Sequence, residues 1–183
     1  MKKKISGITL FTLVIVASFL LVYGYYGGFK SVKVKVEEQG GELLLYKEVV
    51  GDYSRAAAVM DSIQLALFRK GIVSKAGFGI YYDNPRTTEV SLLRSEVGFI
   101  LSNPDTAIVA QLSRDFRIKS FPRNKYLTSV FPYKGRLSII VGIVNVYPAM
   151  NSYLKEKNMN DQGFVMEIYD LKAKKIEYRK QLL

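Results

Sequence analysis

The chain of 183 residues has no cysteine, no histidine and no tryptophan. Without cysteine there is no disulfide, no thiolate metal site and no cysteine nucleophile. Without histidine there is no Ser-His-Asp triad, and the commonest general base and the usual zinc or haem ligand are both missing. An enzyme built on this chain would have to work with carboxylates, Tyr, Lys, Ser or Thr. Aromatic recognition rests on 13 Tyr and 10 Phe. No metal or cofactor is expected. Acid is also scarce: 16 Asp and Glu stand against 27 Lys and Arg, for a net charge of +11. Such a balance suits contact with anionic lipid headgroups. No helix-turn-helix, zinc-finger or RNP pattern is present, so nucleic acid is not an expected partner.

One long apolar run stands out from this composition. Lys2, Lys3 and Lys4 precede an uncharged stretch from Ile5 to Phe29. It is long enough to cross about 30 Å of hydrocarbon. Tyr23, Tyr25 and Tyr26 cluster at its far end, where an aromatic belt would meet the headgroups. No A-x-A cleavage pattern follows, so an uncleaved single span, Ile5 to Tyr26, is expected rather than a signal peptide. Lys30, Lys33 and Lys35 nearly balance the three leading lysines. A short basic amino terminus usually stays inside, which sets the expected terminus in the cytoplasm. The chain divides into an anchor, residues 1–28, and a domain, residues 29–183.

The domain reads as α+β. Val32 to Val36 alternates Val with Lys and suits an edge strand. Glu42–Val50 is a second strand, and a helix begins near Tyr53, with Asp52 or Ser54 able to cap it. Ala56, Val59, Met60, Ile63 and Leu67 recur at helical spacing, and Gly71 supplies the left-handed residue past its end. Gly77–Asp83 and Leu92–Leu101 read as strands. In the latter, Leu93, Ser95, Val97, Phe99 and Leu101 share the face expected beneath the helix. Leu92, Arg94, Glu96, Gly98 and Ile100 share the other. Pro104–Phe116 reads as a short helical linker. A weaker copy of the pattern follows: Tyr126, Val130 and Tyr133 repeat the spacing of Tyr46, Val50 and Tyr53. A helix is expected over Arg136–Lys157, bent at Pro148. Strands are expected at Phe164–Asp170 and Ile176–Leu182, with Glu177 in the place of Glu96. Two tandem strand-helix-strand-strand units, about 42–101 and 125–182, would form one mostly antiparallel sheet with helices on one face.

Three stretches carry a resemblance: Gly51-Asp52-Tyr53, Gly79-Ile80-Tyr81-Tyr82-Asp83-Asn84-Pro85, and Leu93-Arg94-Ser95-Glu96-Val97-Gly98. They resemble the GyrI-like family of effector-binding domains, over roughly Val36 to Leu182. Ser120-Phe121-Pro122, Phe131-Pro132-Tyr133, Leu137-Ser138-Ile139, Pro148-Ala149 and Glu167-Ile168-Tyr169 are similar to the second half of a membrane-anchored subgroup. That subgroup includes an animal receptor for autophagy of the endoplasmic reticulum. The receptor carries a long tail with its autophagy motif, whereas this sequence reads to Leu183 just after the last expected strand. The family's transcription activators carry a DNA-binding domain where this chain has its apolar run. Neither role is expected here. The resemblance implies a duplicated fold, a ligand cleft, and a buried glutamate at Glu96 that meets cationic aromatic ligands.

On that basis the expected ligand-binding residues are Glu96, with Tyr46, Tyr81, Phe131, Tyr133, Tyr147 and Glu167 around it. A carboxylate in an apolar cleft is costly to desolvate unless a cation or hydrogen bonds compensate, and aromatic faces attract cations. The expected function is a membrane-anchored, non-catalytic module for a small cationic or amphipathic ligand. Two other readings stay open: a small-molecule hydrolase using Glu96 and a Tyr, and a protein or lipid scaffold whose cleft is vestigial.

Overall fold

The computed structural model describes residues 7–102 and 104–183. Lys2, Lys3, Lys4 and Ile5 lie outside the described residues. Helix α1, Gly7–Tyr25, carries no charge and buries none of its residues against the rest of the chain. It leads through a tight turn at Gly27 and Gly28 into the domain.

All eight strands form one antiparallel sheet. They are β1 (Val34–Gln39), β2 (Leu43–Val50), β3 (Ser74–Tyr81), β4 (Arg94–Leu101), β5 (Arg117–Ser120), β6 (Asn124–Pro132), β7 (Val165–Asp170) and β8 (Lys175–Gln181). Their spatial order is β1-β6-β8-β7-β3-β4-β2-β5. This order reads the same from both ends once the repeat is recognised: β6, β8 and β7 mirror β2, β4 and β3 about the β3–β7 junction. The edge strands are exchanged. β1 precedes the first unit but pairs with β6 of the second, and β5 precedes the second unit but pairs with β2 of the first.

The first unit carries helix α2, Ala56–Arg69, entered through a single 3-10 turn at Tyr53–Arg55, where the Asp52 side chain accepts from the Ser54 amide. The second carries α4, Leu137–Glu156, which continues through Pro148. A shorter helix, α3 (Thr106–Leu112), links the units, with Asp105 accepting from the Ile108 amide at its start. The two long helices end alike. At α2 the Gly71 amide reaches Phe68 O and the Ile72 amide reaches Leu67 O, with Gly71 at φ 68°. At α4 the Asn158 amide reaches Lys155 O and the Met159 amide reaches Leu154 O, with Asn158 at φ 52°. A left-handed residue frees the chain to bond back onto the last carbonyls, and after glycine asparagine is the residue found most often in that conformation at a helix end.

Both helices lie on one face of the sheet. Ile63 and Leu67 of α2 pack on Leu45, Phe99 and Leu101. Val146, Met150 and Leu154 of α4 pack on Leu127, Phe131, Ile176 and Tyr178. The residues of α4 that face inward recur every four positions, and Gly142 among them lets the Tyr178 hydroxyl come close to the helix. The other face is also filled: Leu44, Tyr46, Phe78, Ile80, Ile100, Tyr126, Met166 and Ile168 form one cluster with Phe121. The rings of Tyr82 and Phe164 pack onto it, Phe164 standing edge-on to Phe121 at 6.0 Å.

One strand was not expected and one equivalence needs correction. Arg117–Ser120, which follows the expected helical linker and was given no element, is a strand. The equivalence of Glu177 with Glu96 also conflicts with that of Tyr126 with Tyr46. Tyr46 stands opposite Gly98 and Tyr126 opposite Gln181, so the matching tyrosines place Arg179, not Glu177, where the first unit has Glu96.

Candidate functional site

The residues singled out from the sequence fall on two faces. Glu96 and Tyr46 stand on the face away from the helices. Tyr81, Phe131, Tyr133, Tyr147 and Glu167 stand on the helix side.

On the first face, register sets the chemistry. Glu96 of β4 lies directly opposite Glu48 of β2, a like-charge pair that is unfavourable by itself. Strand β5 answers it. Lys119 pairs with Glu96, and Arg117 reaches Glu48 at 2.6 Å. The Lys119 ammonium also lies 4.7 Å from the centre of the Tyr46 ring. Glu177 is likewise engaged, accepting from the buried Arg179 at 2.7 Å, while Arg179 reaches Glu42 at 2.8 Å. The carboxylates on this face therefore have cationic partners within the chain.

Glu167 differs. It sits on β7 at the junction of the two units, opposite Gly79 of β3, and is 2% exposed. Gly79 has no side chain to fill the space, and the Tyr81 ring folds back over it; a Cβ there would stand 2.6 Å from the Tyr81 hydroxyl. Tyr147, delivered by α4, donates to Glu167 Oε1 at 2.7 Å. Tyr169, two residues along β7, donates to Oε2 at 2.8 Å. With the Tyr169 proton committed to the carboxylate, Tyr81 is left to donate to Tyr169 across 3.4 Å. The Tyr53 ring stands edge-on to Tyr81 at 4.8 Å, and the Tyr178 ring edge-on to Tyr147 at 6.1 Å. The Tyr178 hydroxyl is buried and has no hydrogen-bond partner among the described residues. Met60 of α2 packs against the clusters of both units and so covers the seam between them.

The electrostatics follow from this enclosure. Among the described residues no Lys or Arg forms an ion pair with Glu167. Burial pushes its carboxyl above the usual range, and the two tyrosine hydroxyls pull it only part of the way back. Burial beside the negative carboxylate likewise holds the Tyr147, Tyr169 and Tyr178 hydroxyls above their ordinary range. The phenols remain proton donors at neutral pH. The group is a carboxyl enclosed among tyrosines, with two hydroxyls donating to its oxygens and, among the described residues, no ion-paired cation.

Phe131 and Tyr133 are on the helix side but belong to the α4 packing; Phe131 lies against Gly142 and the Gly27 turn. Tyr53, Tyr169 and Tyr178 were missed. The signal for Tyr169 lay in Val165-Met166-Glu167-Ile168-Tyr169, where alternation puts Tyr169 on the same face as Glu167. Two surface cavities lie elsewhere. One of about 290 Å³ is bounded by Ile72, Val73, Leu101, Pro104 and Ile108. One of about 560 Å³ lies between Glu38–Gly40 and Arg123–Lys125. Among the described residues no three carboxylates converge to hold a metal ion.

Residues 33–179 match the GyrI-like small molecule binding domain. The chain belongs to the GyrI-like family. It is 28% identical to human Testis-expressed protein 264 over 164 residues, which are 85% of this chain and 50% of that protein. The mouse homologue is 34% identical over 86 residues, 44% of this chain and 28% of that one. The chain thus spans about half the length of the human relative. Among solved structures, EcmrR in its DNA complex superposes with a TM-score of 0.61 at 12% identity, covering 93% of this chain and 64% of that one. SAV2435 bound to tetraphenylphosphonium superposes with 0.52 at 8% identity, covering 82% and 94%. At these identities the likeness is one of fold.

Proposed function

We propose that this GyrI-like domain is a membrane-anchored, non-catalytic module that binds a lipophilic, aryl-bearing cation at Glu167, in the seam between α2 and α4. The observation that supports the site is a fully enclosed carboxyl held by two tyrosine hydroxyls and no basic side chain. Such a group is costly to keep unless its charge is used. A cation supplies the missing charge, and the rings of Tyr81, Tyr147 and Tyr169 supply faces that attract it. Glu96, by contrast, already has Lys119, and we assign it to holding β5 on the sheet. Entry requires Met60 and Tyr147 to move aside; both are side chains of helices, and methionine repacks readily.

The anchor reading rests on α1. Its 19 uncharged residues rise about 28 Å, close to the thickness of a bilayer core. The rule that keeps a short basic start inside puts the amino terminus in the cytoplasm.

Tetraphenylphosphonium, the compound bound to SAV2435, is a suitable probe. The full chain in lipid nanodiscs is titrated calorimetrically with tetraphenylphosphonium and with neutral triphenylphosphine oxide, using empty nanodiscs as blanks. The cation is expected to bind at least about tenfold more tightly, equivalent to about 1.4 kcal/mol. Equal binding of the two compounds would refute the assignment.

A further inference from the structure

The outward face of α4 is unusual for a helix on a soluble domain. Its inward stripe is Ser138, Gly142, Val146, Met150 and Leu154. The opposite stripe is Leu137, Ile140, Val144 and Pro148, with Ile140 and Val144 each 59% exposed. It turns polar only at Asn151 and Lys155. From Leu137 to Leu154 the helix carries no charge, and no Asp or Glu occurs between Asp115 and Glu156. An amphipathic surface helix would put its charges on this side.

The position of this face gives it a meaning. The end of α1 is fastened to the start of α4 at several points. The Tyr23 hydroxyl and the Asn145 side-chain amide are hydrogen-bonded, at 3.0 Å from Nδ2 to Oη. Lys134 Nζ donates to Tyr25 O at 2.7 Å, and its ammonium lies 4.5 Å from the Tyr25 ring centre. The Gly27 turn packs on Phe131 and Pro132, and the Tyr26 ring lies against Gly135. The first half of α4 is therefore held across the last turn of the apolar helix. Where α1 leaves a bilayer, the exposed Ile140 and Val144 stand at its surface. Lys30, Lys33, Lys134 and Arg136 are all exposed around that point, suited to lipid phosphates.

We propose that the outer face of α4, from Leu137 to Pro148, lies in the lipid interface, so that the domain rests on the membrane instead of swinging from a tether. This rests on the reading of α1 as a span. The occupant is the bilayer surface: apolar side chains enter the acyl boundary, and the basic rim meets the phosphates. A helix lying this way sinks about 5–10 Å into the headgroup and acyl boundary. One consequence joins the two proposals. Tyr147 lies on this same helix, so a lipophilic cation already dissolved in the interface would find the Glu167 seam beside it.

The absence of cysteine makes a clean test. Single cysteines are placed in the full chain by I140C and V144C on α4, by F68C on the exposed side of α2, and by V14C within α1. Each is labelled with bimane and reconstituted in nanodiscs of phosphatidylcholine and phosphatidylserine, with and without brominated acyl chains. Quenching at 140 and 144 is expected to exceed that at 68 by at least about twofold, with 14 quenched most strongly. Quenching at 14 with 140 and 144 no different from 68 overturns the contact and leaves the anchor standing. No quenching at 14 removes the anchor, and the contact falls with it. Unquenched labels at 144, together with disulfide formation between unlabelled V144C chains under an added oxidant, assign the face to a second copy, which also overturns the proposal.

Discussion

Replacing Glu167 by glutamine separates the charge of the proposed site from its shape. The side chain keeps its length, and Tyr147 keeps an oxygen to donate to, in place of the present 2.7 Å bond to Oε1. On the other side an NH₂ group replaces Oε2. Tyr169 then accepts from it and turns its own proton towards Tyr81, 3.4 Å away. The empty domain should therefore lose little stability. The pH dependence carries the sign. The folded-state pKa of Glu167 is raised by burial. Its proton is thus bound more tightly in the folded chain than in the unfolded one. The favourable contribution is complete below the unfolded value of about 4.5 and is lost as pH rises through the raised folded value. Relative to wild type, E167Q should become steadily more stable as pH rises across that window and level off above it. Ligand binding runs the other way. A cation needs the carboxylate, so wild-type affinity should climb with pH over the same window, and binding should release a proton. In E167Q the affinity should be independent of pH and weaker at pH 7 by about ten- to a hundredfold, from the loss of a charged partner contributing about 1.5–3 kcal/mol. Calorimetric titration with tetraphenylphosphonium in buffers of different ionisation enthalpy reads both quantities. The reasoning is falsified if wild type and E167Q bind with equal affinity, or if wild-type binding takes up no less proton at acid pH than at neutral pH.

Other substitutions test the surrounding structure. Y147F removes one donor from Glu167 and should move the midpoint of the affinity–pH curve upward, because the carboxylate loses a bond that favours it. K119M leaves the mostly buried Glu96 without its cation and should cost about 1–3 kcal/mol in chemical denaturation; R117M, at an exposed pair, should cost less than about 1 kcal/mol. If the two cost the same, Glu96 is not held as described. G98A brings a methyl group into the backbone of β2 at Leu45 and Tyr46; it should destabilise the fold by about 1–3 kcal/mol, read as a lowered denaturation midpoint.

The elements legible in the sequence were those with a strong period or a distinct terminator. Val97, Phe99 and Leu101 alternate with Glu96, Gly98 and Ile100, and the two sets do separate to the two faces. Ile63 and Leu67 mark the inward side of α2, and Gly71 ends it. β5 was not legible because Arg117-Ile118-Lys119-Ser120 is only four residues long and follows a helix. Its reason for existing is the pair of carboxylates, Glu48 and Glu96, that lies across the sheet. A counter-charge is a tertiary fact, and spacing along the chain does not reveal it. The same holds for the site. Glu96 looked open because Gly98 stands beside it, but Gly98 marks a close backbone approach by β2, and the space is occupied. Glu167 was named, yet its lack of an ion pair among the described residues depends on several strands and two helices at once.

The position of Glu167 also says something about how a duplicated fold makes an asymmetric site. The β3–β7 junction is where the two units meet, and neither long helix lies squarely over it. By the register that puts Arg179 where the first unit has Glu96, Ile80 faces its own counterpart Met166 and Tyr81 is the counterpart of Glu167, so a faithful duplication would set a second carboxylate at position 81, diagonally across the junction. Two acids side by side in a low-dielectric seam repel, and one would hold a proton. Here β3 presents Gly79 opposite Glu167 and sends Tyr81 back over the gap. The first unit thus contributes room and a hydroxyl, and the second contributes the charge. The seam can enclose one carboxyl among aromatic rings because its halves have diverged at these positions. G79A tests that division directly. Its methyl group would stand 2.6 Å from the Tyr81 hydroxyl and must drive that ring away from Tyr169. The fold should survive, because the displaced atom is the far end of a side chain rather than backbone. Cation affinity should fall by about tenfold or more as a ring face and the room beside the carboxyl are lost. If G79A binds tetraphenylphosphonium as wild type does while its near-ultraviolet circular dichroism shows the tyrosines displaced, the cation does not lie at the junction.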